Sequence, residues 1–309
     1  MAAIIEVNNL SKQFNKITVV NNLSFTVEEG DVYGFLGQNG AGKSTTIRML
    51  LTLIKPTEGE ISIFGKKLQT HRSEILSQVG AVIEKPDLYK YLSAYDNLSI
   101  FARLSGIKVT KQLLMKQLQM VGLDDRAKDK VKTFSQGMKQ RLGIAVALIH
   151  NPSLIILDEP TNGLDPQGIA DMRNLILMLS KELGKTVLIS SHLLSEIEVI
   201  ANRMIIIHKG QKKIEGSVTE LLDPAHTMID IDSTDNVAAR EKIAASKWAS
   251  YLQQDKALQL MMNRTAVPSL IKDLVAMDIE LLSVNSSHSL ENYFLSLTTN
   301  SGYVAPFAN

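Results

Sequence analysis

The chain has 309 residues, longer than one average domain, and its 45% hydrophobic and 21% charged residues argue against both a disordered and a membrane-spanning polypeptide. Lys plus Arg number 33 against 32 Asp plus Glu, so no global field recruits nucleic acid or an anionic membrane. There is no cysteine, which excludes a disulfide framework and thiolate metal sites and suits a reducing cytosol. The opening MAAIIEVNNLSKQF lacks a basic region followed by an apolar stretch, so no secretory signal is expected. No run approaches the roughly 20 apolar residues that a bilayer crossing needs.

IIEVNNL, ITVVNNLSFTV and VYGFLG read as β-rich stretches divided by Asn and Gly turns, a small antiparallel sheet leading into a central strand. Residues 44–54, STTIRMLLTLI, carry apolar side chains at helical spacing ahead of Pro56, and EGEISIFGKKL returns to strand. QVGAVI is a further strand that stops at Glu84. Residues 87–133 turn polar and helical, with KQLLMKQLQMVGL as an example. PSLIILDEP, TVLISSH and RMIIIHKG follow as apolar runs, each preceded by a helical segment, the alternation of a buried parallel sheet. Residues 1–220 therefore read as one α/β domain. From 221 the texture shortens to TMIDIDS, NVAAREKIAA, ALQLMMN, VPSLIKDLVAMD, IELLSV and SLENYFLSL, alternating strand and helix: a small α+β domain over 221–309. His226 and His288 in it are isolated and read as structural.

Three motifs carry chemistry. Gly37, Gln38, Asn39, Gly40, Ala41, Gly42, Lys43, Ser44 and Thr45 form GQNGAGKST, which fits G-x-x-x-x-G-K-[ST] between a strand and a helix. In such a loop glycines let backbone N–H groups close around phosphate oxygens, and the helix N-terminus adds its positive end. Lys43 is expected on the β- and γ-phosphates and Ser44 on Mg²⁺. LIILDEP ends an apolar strand in Asp158, expected in the magnesium shell, and Glu159, expected to orient or deprotonate the attacking water. FSQGMKQRLGIAVALIHN reads as a helix capped by Ser135, with Leu142, Ala145, Val146 and Ile149 on one apolar stripe. At its start Ser135, Gln136 and Gly137 can present a hydroxyl and N–H groups to an anion.

GQNGAGKST, FSQGMKQR, LIILDEPTNGLD and ISSH stand in an order and spacing that resembles an ATP-binding-cassette (ABC) ATPase over residues 4–220. The resemblance implies an α/β P-loop NTPase fold, a RecA-like core with an antiparallel β subdomain and a helical subdomain at about 87–150, using ATP and Mg²⁺. It also implies two cassettes paired on ATP binding, a homodimer or this chain with another cassette, with Ser135, Gln136 and Gly137 facing the γ-phosphate held by the second cassette. Asp165, in NGLD, matches the loop that couples the two sites, and His192 matches the switch histidine on the γ-phosphate. Phe14, in KQFN, fits the position that stacks on adenine, although such a Phe serves equally well in a core. Glu84 stands where the family usually has a glutamine touching Mg²⁺ or the attacking water. As a carboxylate it would attract the metal and repel the γ-phosphate, by about 1 kcal/mol per unit charge pair at 4 Å in water and about 4 at an effective dielectric of 20.

That glutamate, SQGMKQRLGIA, LDEPTNGLDP and SSHLLSEIE together look like the cassettes of bacitracin-resistance and lantibiotic-immunity exporters, and SVNSSHSLENYFLSL resembles the ending of the bacitracin group. The implied role is the ATPase subunit of a peptide-antibiotic exporter, peripheral on the cytoplasmic side of a bacterial cytoplasmic membrane, working with separate transmembrane permease subunits and no nucleic acid. Exporters of a drug, a lipid or sodium share this build. A soluble cassette ATPase acting on ribosomes or DNA is the other class. Such relatives usually carry two cassettes in one chain or a long coiled coil between P-loop and signature. The C-terminal domain is expected to be a regulatory or dimer-supporting domain, or else a passive brace on the cassette.

Overall fold

A computed structural model describes residues 2–221, 227–253 and 258–288, and the chain divides into two compact units, Met1–Gly216 and the residues from Ser217 onward. In the first unit, β1 (Ala3–Phe14) and β2 (Ile17–Glu28) form a long antiparallel hairpin. Their alternation buries Ile5, Val7 and Leu10 from β1 with Val20, Leu23, Phe25 and Val27 from β2. The register shifts between Val7 and Leu10, where Asn9 takes a left-handed φ of 49°, a conformation that Asn tolerates better than most residues.

The chain continues through β3 (Val32–Leu36), α1 (Lys43–Leu50), β4 (Glu58–Ile63), β5 (Lys66–Lys67), α2 (Arg72–Leu76) and β6 (Val79–Ile83). The helical stretch follows, α3 (Ala94–Leu104), α4 (Lys111–Met120) and α5 (Gln136–Leu148). Then come β7 (Leu154–Asp158), α6 (Pro166–Lys181), β8 (Thr186–Ser191), α7 (Leu194–Ile200), β9 (Arg203–His208) and β10 (Gln211–Ser217). The strands make an antiparallel sheet, β2-β1-β4-β5, and a six-stranded sheet, β10-β9-β3-β8-β7-β6. The interior of the second sheet is parallel, and β3, β7 and β8 are buried along their whole length, which is why their sequences are continuous apolar runs.

Two sequence expectations need correction. The helix expected over 44–54 ends at Leu50, because Thr52 turns left-handed at φ 58° and the N–H groups of Leu53 and Ile54 both fold back on the Arg48 carbonyl. α5 carries no single apolar stripe: Gly143, Ile144, Ala147 and Leu148 are buried as well, while Val146 is only half-buried. Capping follows the local sequence. Ser93 and Asp96 make a reciprocal box on α3, Thr110 caps α4, Ser135 caps α5, and Asp165 with Pro166 opens α6.

The second unit contains α8 (Val218–Leu221), β11 (Thr227–Ser233), α9 (Asn236–Ala244), β12 (Gln259–Met262), α10 (Val267–Ala276) and β13 (Leu281–His288). Its antiparallel sheet has the order β12-β11-β13. Ile229, Ile231 and Leu260 from the sheet pack with Ile243 of α9, Leu270 and Leu274 of α10, and Trp248. The Trp248 indole donates to Asp273 at 3.0 Å, which satisfies its one polar atom. His226 and the segment SLENYFLSL lie outside the described residues.

α5 lies against β6 at a contact only glycine permits: a Cβ at Gly80 would stand 2.3 Å from the Ala147 carbonyl oxygen. Gly80→Ala is expected to destabilise the fold by about 1–3 kcal/mol through this overpacking, measured as a lower urea midpoint.

Candidate functional site

Functional side chains collect where ligands collect in such sheets, outside the carboxyl ends of the parallel strands. β3 runs out at Leu36 into the glycine loop, and α1 begins at Lys43 without a side-chain cap, so its first N–H groups face the loop. Gly42 is required twice over. It takes φ 104°, and a Cβ there would stand 2.9 Å from the Val19 carbonyl oxygen. Val19, Gln38, Asn39, Gly40, Gly42, Lys43, Ser44 and Thr45 line a hollow of about 190 Å³ that Glu159 and Asn162 also border. This is an anion cradle in its donor set: helix-end N–H groups, one ammonium and hydroxyls. Gly37 and Ala41 form the loop behind it, and the Gly37 carbonyl accepts from Lys43 Nζ at 2.5 Å.

β7 pairs with β8 in the register Asp158↔Ser190 and with β6 in the register Ile83↔Asp158. Asp158 is fully buried, and its Oδ1 accepts from Ser190 Oγ at 2.6 Å. Its Oδ2 is buried with no hydrogen-bond partner among the described residues. A buried carboxylate oxygen left so is costly unless a cation answers it, and this observation fits the site to a divalent ion with oxygen ligands.

Glu159 follows in a left-handed conformation, φ 49°, strain of about 1–3 kcal/mol for a residue with a Cβ. Its N–H donates to Ser190 Oγ at 2.9 Å. Its carboxylate is shared: Oε2 lies 2.6 Å from His192 Nδ1, and Oε1 lies 2.9 Å from Lys43 Nζ in an ion pair that lacks hydrogen-bond geometry. Glu159 is 13% exposed and His192 33%, so the histidine is the more open of the pair. Lys43, Asp158, Glu159 and His192 therefore stand together.

Glu84 also turns left-handed, φ 55°, directly after β6. The Arg48 guanidinium donates to its Oε1 at 2.6 Å. Both side chains are well exposed, so the pair is screened and weak. With Gln136, Gln140, Glu159, Asn162 and Gly163, Glu84 borders a second cleft of about 700 Å³. Glu159 and Asn162 border both spaces.

The other expected residues do not line the phosphate-loop hollow. Phe14 is 43% exposed at the end of β1 with Lys12 Nζ 4.8 Å over its ring, so it is not a core residue. Ser135 Oγ accepts from Met138 N at 3.2 Å, Gln136 Nε2 donates to the Asn162 carbonyl at 2.8 Å, and the open space beside Gly137 ends at Leu164. Asp165 Oδ1 accepts from Gly168 N at 3.1 Å. Sequence reasoning passed over Ser190, Arg48 and Asn162. Ser190 had a signal, a hydroxyl at the end of an otherwise apolar strand, but its partner is fixed only by strand pairing.

Fold and site together define a P-loop nucleotide-binding cassette. The ABC transporter family model matches residues 20–162. The bacitracin transport ATP-binding protein of Bacillus licheniformis is 42% identical over 302 residues, 96% of this chain and 98% of that one. The lantibiotic transport ATP-binding protein of Streptococcus pyogenes is 43% identical over 218 residues, 69% of this chain and 93% of that one. A solved dimeric ATP-binding cassette in a post-hydrolysis state bound to ADP and Pi is 27% identical, with a TM-score of 0.62 over 69% of this chain and 98% of that chain. The chain belongs to the ATP-binding proteins of ABC transporters, and it is an ATPase whose hydrolysis is coupled to transport. No described helix is long and apolar enough to cross a membrane.

Ser190→Ala leaves Asp158 Oδ1 without its donor and the Glu159 N–H without its acceptor. Loss of about 1–3 kcal/mol is expected for such an unmade buried bond, read as a lower urea midpoint with the denaturant slope unchanged.

Proposed function

We propose that this ATPase powers export of a peptide antibiotic of the bacitracin or lantibiotic kind, for resistance or self-immunity, through separate transmembrane permease subunits. The cassette would stand at the cytoplasmic face of a bacterial membrane. The observation that carries the cargo class is the full-length match to a bacitracin transport relative: its 302 aligned residues run through the second unit, whereas the lantibiotic relative is matched over 218. Other cargoes, a drug, a lipid or sodium, are left to the outcome of the test.

In this reading Gly37 to Thr45 hold the phosphates of ATP, with the Lys43 ammonium on the β- and γ-phosphoryl oxygens. Ser44, Asp158 and Glu84 would hold Mg²⁺, Glu84 in exchange for its bond to Arg48. The ion would supply charge neutralisation to the phosphoryl oxygens. Glu159 orients or deprotonates the attacking water, and His192, held on the Glu159 carboxylate, contacts the γ-phosphate. Two copies pair when ATP is bound. Ser135, Gln136 and Gly137 then meet the partner's nucleotide, Asp165 couples the two sites, and Phe14 stacks on adenine. Ser135 and Asp165 already cap helices, so each would use its remaining polar capacity. The solved relative with ADP and Pi, described as dimeric, supports pairing. The domain from 221 onward is assigned to dimer support.

Glu159→Gln keeps the shape of the side chain and removes its basicity. It is expected to bind MgATP, sediment as a dimer and turn over at least about 10²-fold more slowly. The same variant ending at Gly216 is expected to dimerise less. In the source strain, Glu159→Gln at native level is expected to sensitise cells to bacitracin or to a lantibiotic. Normal turnover would remove Glu159 from its role, and unchanged tolerance to every peptide antibiotic tested would remove the cargo assignment.

A further inference from the structure

Glu159 and His192 must meet across a gap that the sheet does not bridge. Their strands, β7 and β8, pair up to Asp158↔Ser190 and no further. Beyond that point β7 and β8 no longer pair, although Ser191 still pairs with Leu36 of β3, and the spacing between the two segments rests on side chains. Ser190 serves the near end, bonded to Asp158 and to the Glu159 N–H.

At the far end stands Glu196, in the first turn of α7. One of its oxygens, Oε2, accepts from Thr161 Oγ1 at 2.8 Å and from Ser191 Oγ at 2.7 Å. Thr161 belongs to the segment that carries Glu159, and Ser191 directly precedes His192. The Leu193 N–H, on the other side of His192, donates to the same Ser191 Oγ at 3.0 Å. A single carboxylate oxygen thus holds Ser191, which in turn holds the Leu193 N–H, and links these flanks of the histidine to the segment bearing the glutamate. The donors are sheltered, Thr161 at 8% and Ser191 at 1% exposure. Water is therefore poorly placed to substitute for a missing acceptor. An acidic residue in the first turn of a helix is ordinarily explained by the helix dipole. That explanation does not require two buried hydroxyls from two different segments to converge on one oxygen.

We infer that Glu196 is a positioning residue for hydrolysis: it fixes the Thr161-to-Ser191 spacing and thereby holds His192 Nδ1 on Glu159 Oε2. It touches neither of the two groups and acts through the hydroxyls. This rests on the reading of Glu159 and His192 as the hydrolytic pair. Misplacement of reacting groups by about 1 Å costs up to about 10²-fold in rate. The loss should fall on turnover and not on nucleotide binding, since the phosphate loop belongs to a different part of the chain.

The test is ATP turnover by the full chain with MgATP for Glu196→Ala, Glu196→Gln, His192→Ala and the double variant His192→Ala with Glu196→Ala. Glu196→Ala is expected to lower kcat about 10- to 10²-fold with KM for ATP unchanged. Glu196→Gln, whose amide oxygen can accept both hydroxyls, is expected to restore most of that loss. In the His192→Ala background the same Glu196→Ala change should do nothing further, because residues acting as one unit are not additive. An independent multiplicative loss on top of His192→Ala, a rise in KM with kcat intact, or a Glu196→Gln variant as slow as Glu196→Ala would overturn the inference. If His192→Ala alone keeps full turnover, the reading of the hydrolytic pair itself fails, an outcome separate from the other three. Far-ultraviolet circular dichroism and the thermal midpoint of each variant separate loss of alignment from loss of fold.

Discussion

Parallel pairing of β7 with β8 in the register Asp158↔Ser190 is the constraint on which the site depends. Successive side chains on a strand point to opposite faces, so a slip of one residue would turn Ser190 away from Asp158 and exchange its place with Ser191. In the register present, the adjacent serines divide the work. Ser190 serves Asp158 and the Glu159 N–H, and Ser191 serves Glu196. Full burial of both strands protects the register, because a slip would drive polar side chains into the apolar layers on either side.

Charge is balanced locally around this edge. Lys43 is answered by the carbonyls of Gly37 and Gln38 and by Glu159. An anion entering the hollow competes with that carboxylate for one ammonium, so binding of phosphate and retention of Glu159 on Lys43 are opposed uses of the same charge. The His192 contact uses the other oxygen of Glu159 and is not part of that competition. Glu84, one register position beyond Ile83 on the neighbouring strand, is occupied by Arg48 in the same arrangement. Two carboxylates that would repel each other at one sheet edge are each held by a cation.

Close packing sets how α5 lies beside the site. α5 approaches β6 at Gly80, and a Cβ at Gly143 would stand 2.5 Å from Pro86, the residue two beyond Glu84. The Gln136 amide then bonds the start of the helix to the Asn162 carbonyl. The start of α5 and its middle are thereby tied to the loop after Glu159 and to the segment around β6 that leads into Glu84.

Much of this was legible in the residues themselves. The phosphate loop is a local structure: glycine spacing, a lysine and a following helix fall within nine residues, and no distant contact is needed to form it. The caps Ser93, Thr110, Ser135 and Asp165 are local for the same reason. Apolar runs disclosed the parallel strands; the change of texture read at 220 and the division that the contacts draw after Gly216 are separate observations. The burial of α5 on nearly all sides was not legible, since a helix wedged between a sheet and other helices shows no clean stripe. The end of α1 was missed because Thr52 is a poor advertisement for a left-handed turn. Sequence alone determined the chain class and the local glycine-and-lysine loop between β3 and α1. Only the tertiary structure decided which hydroxyl answers which carboxylate, because Ser190, Glu196 and Arg48 meet partners more than thirty residues away that strand register and loop packing bring within hydrogen-bond reach.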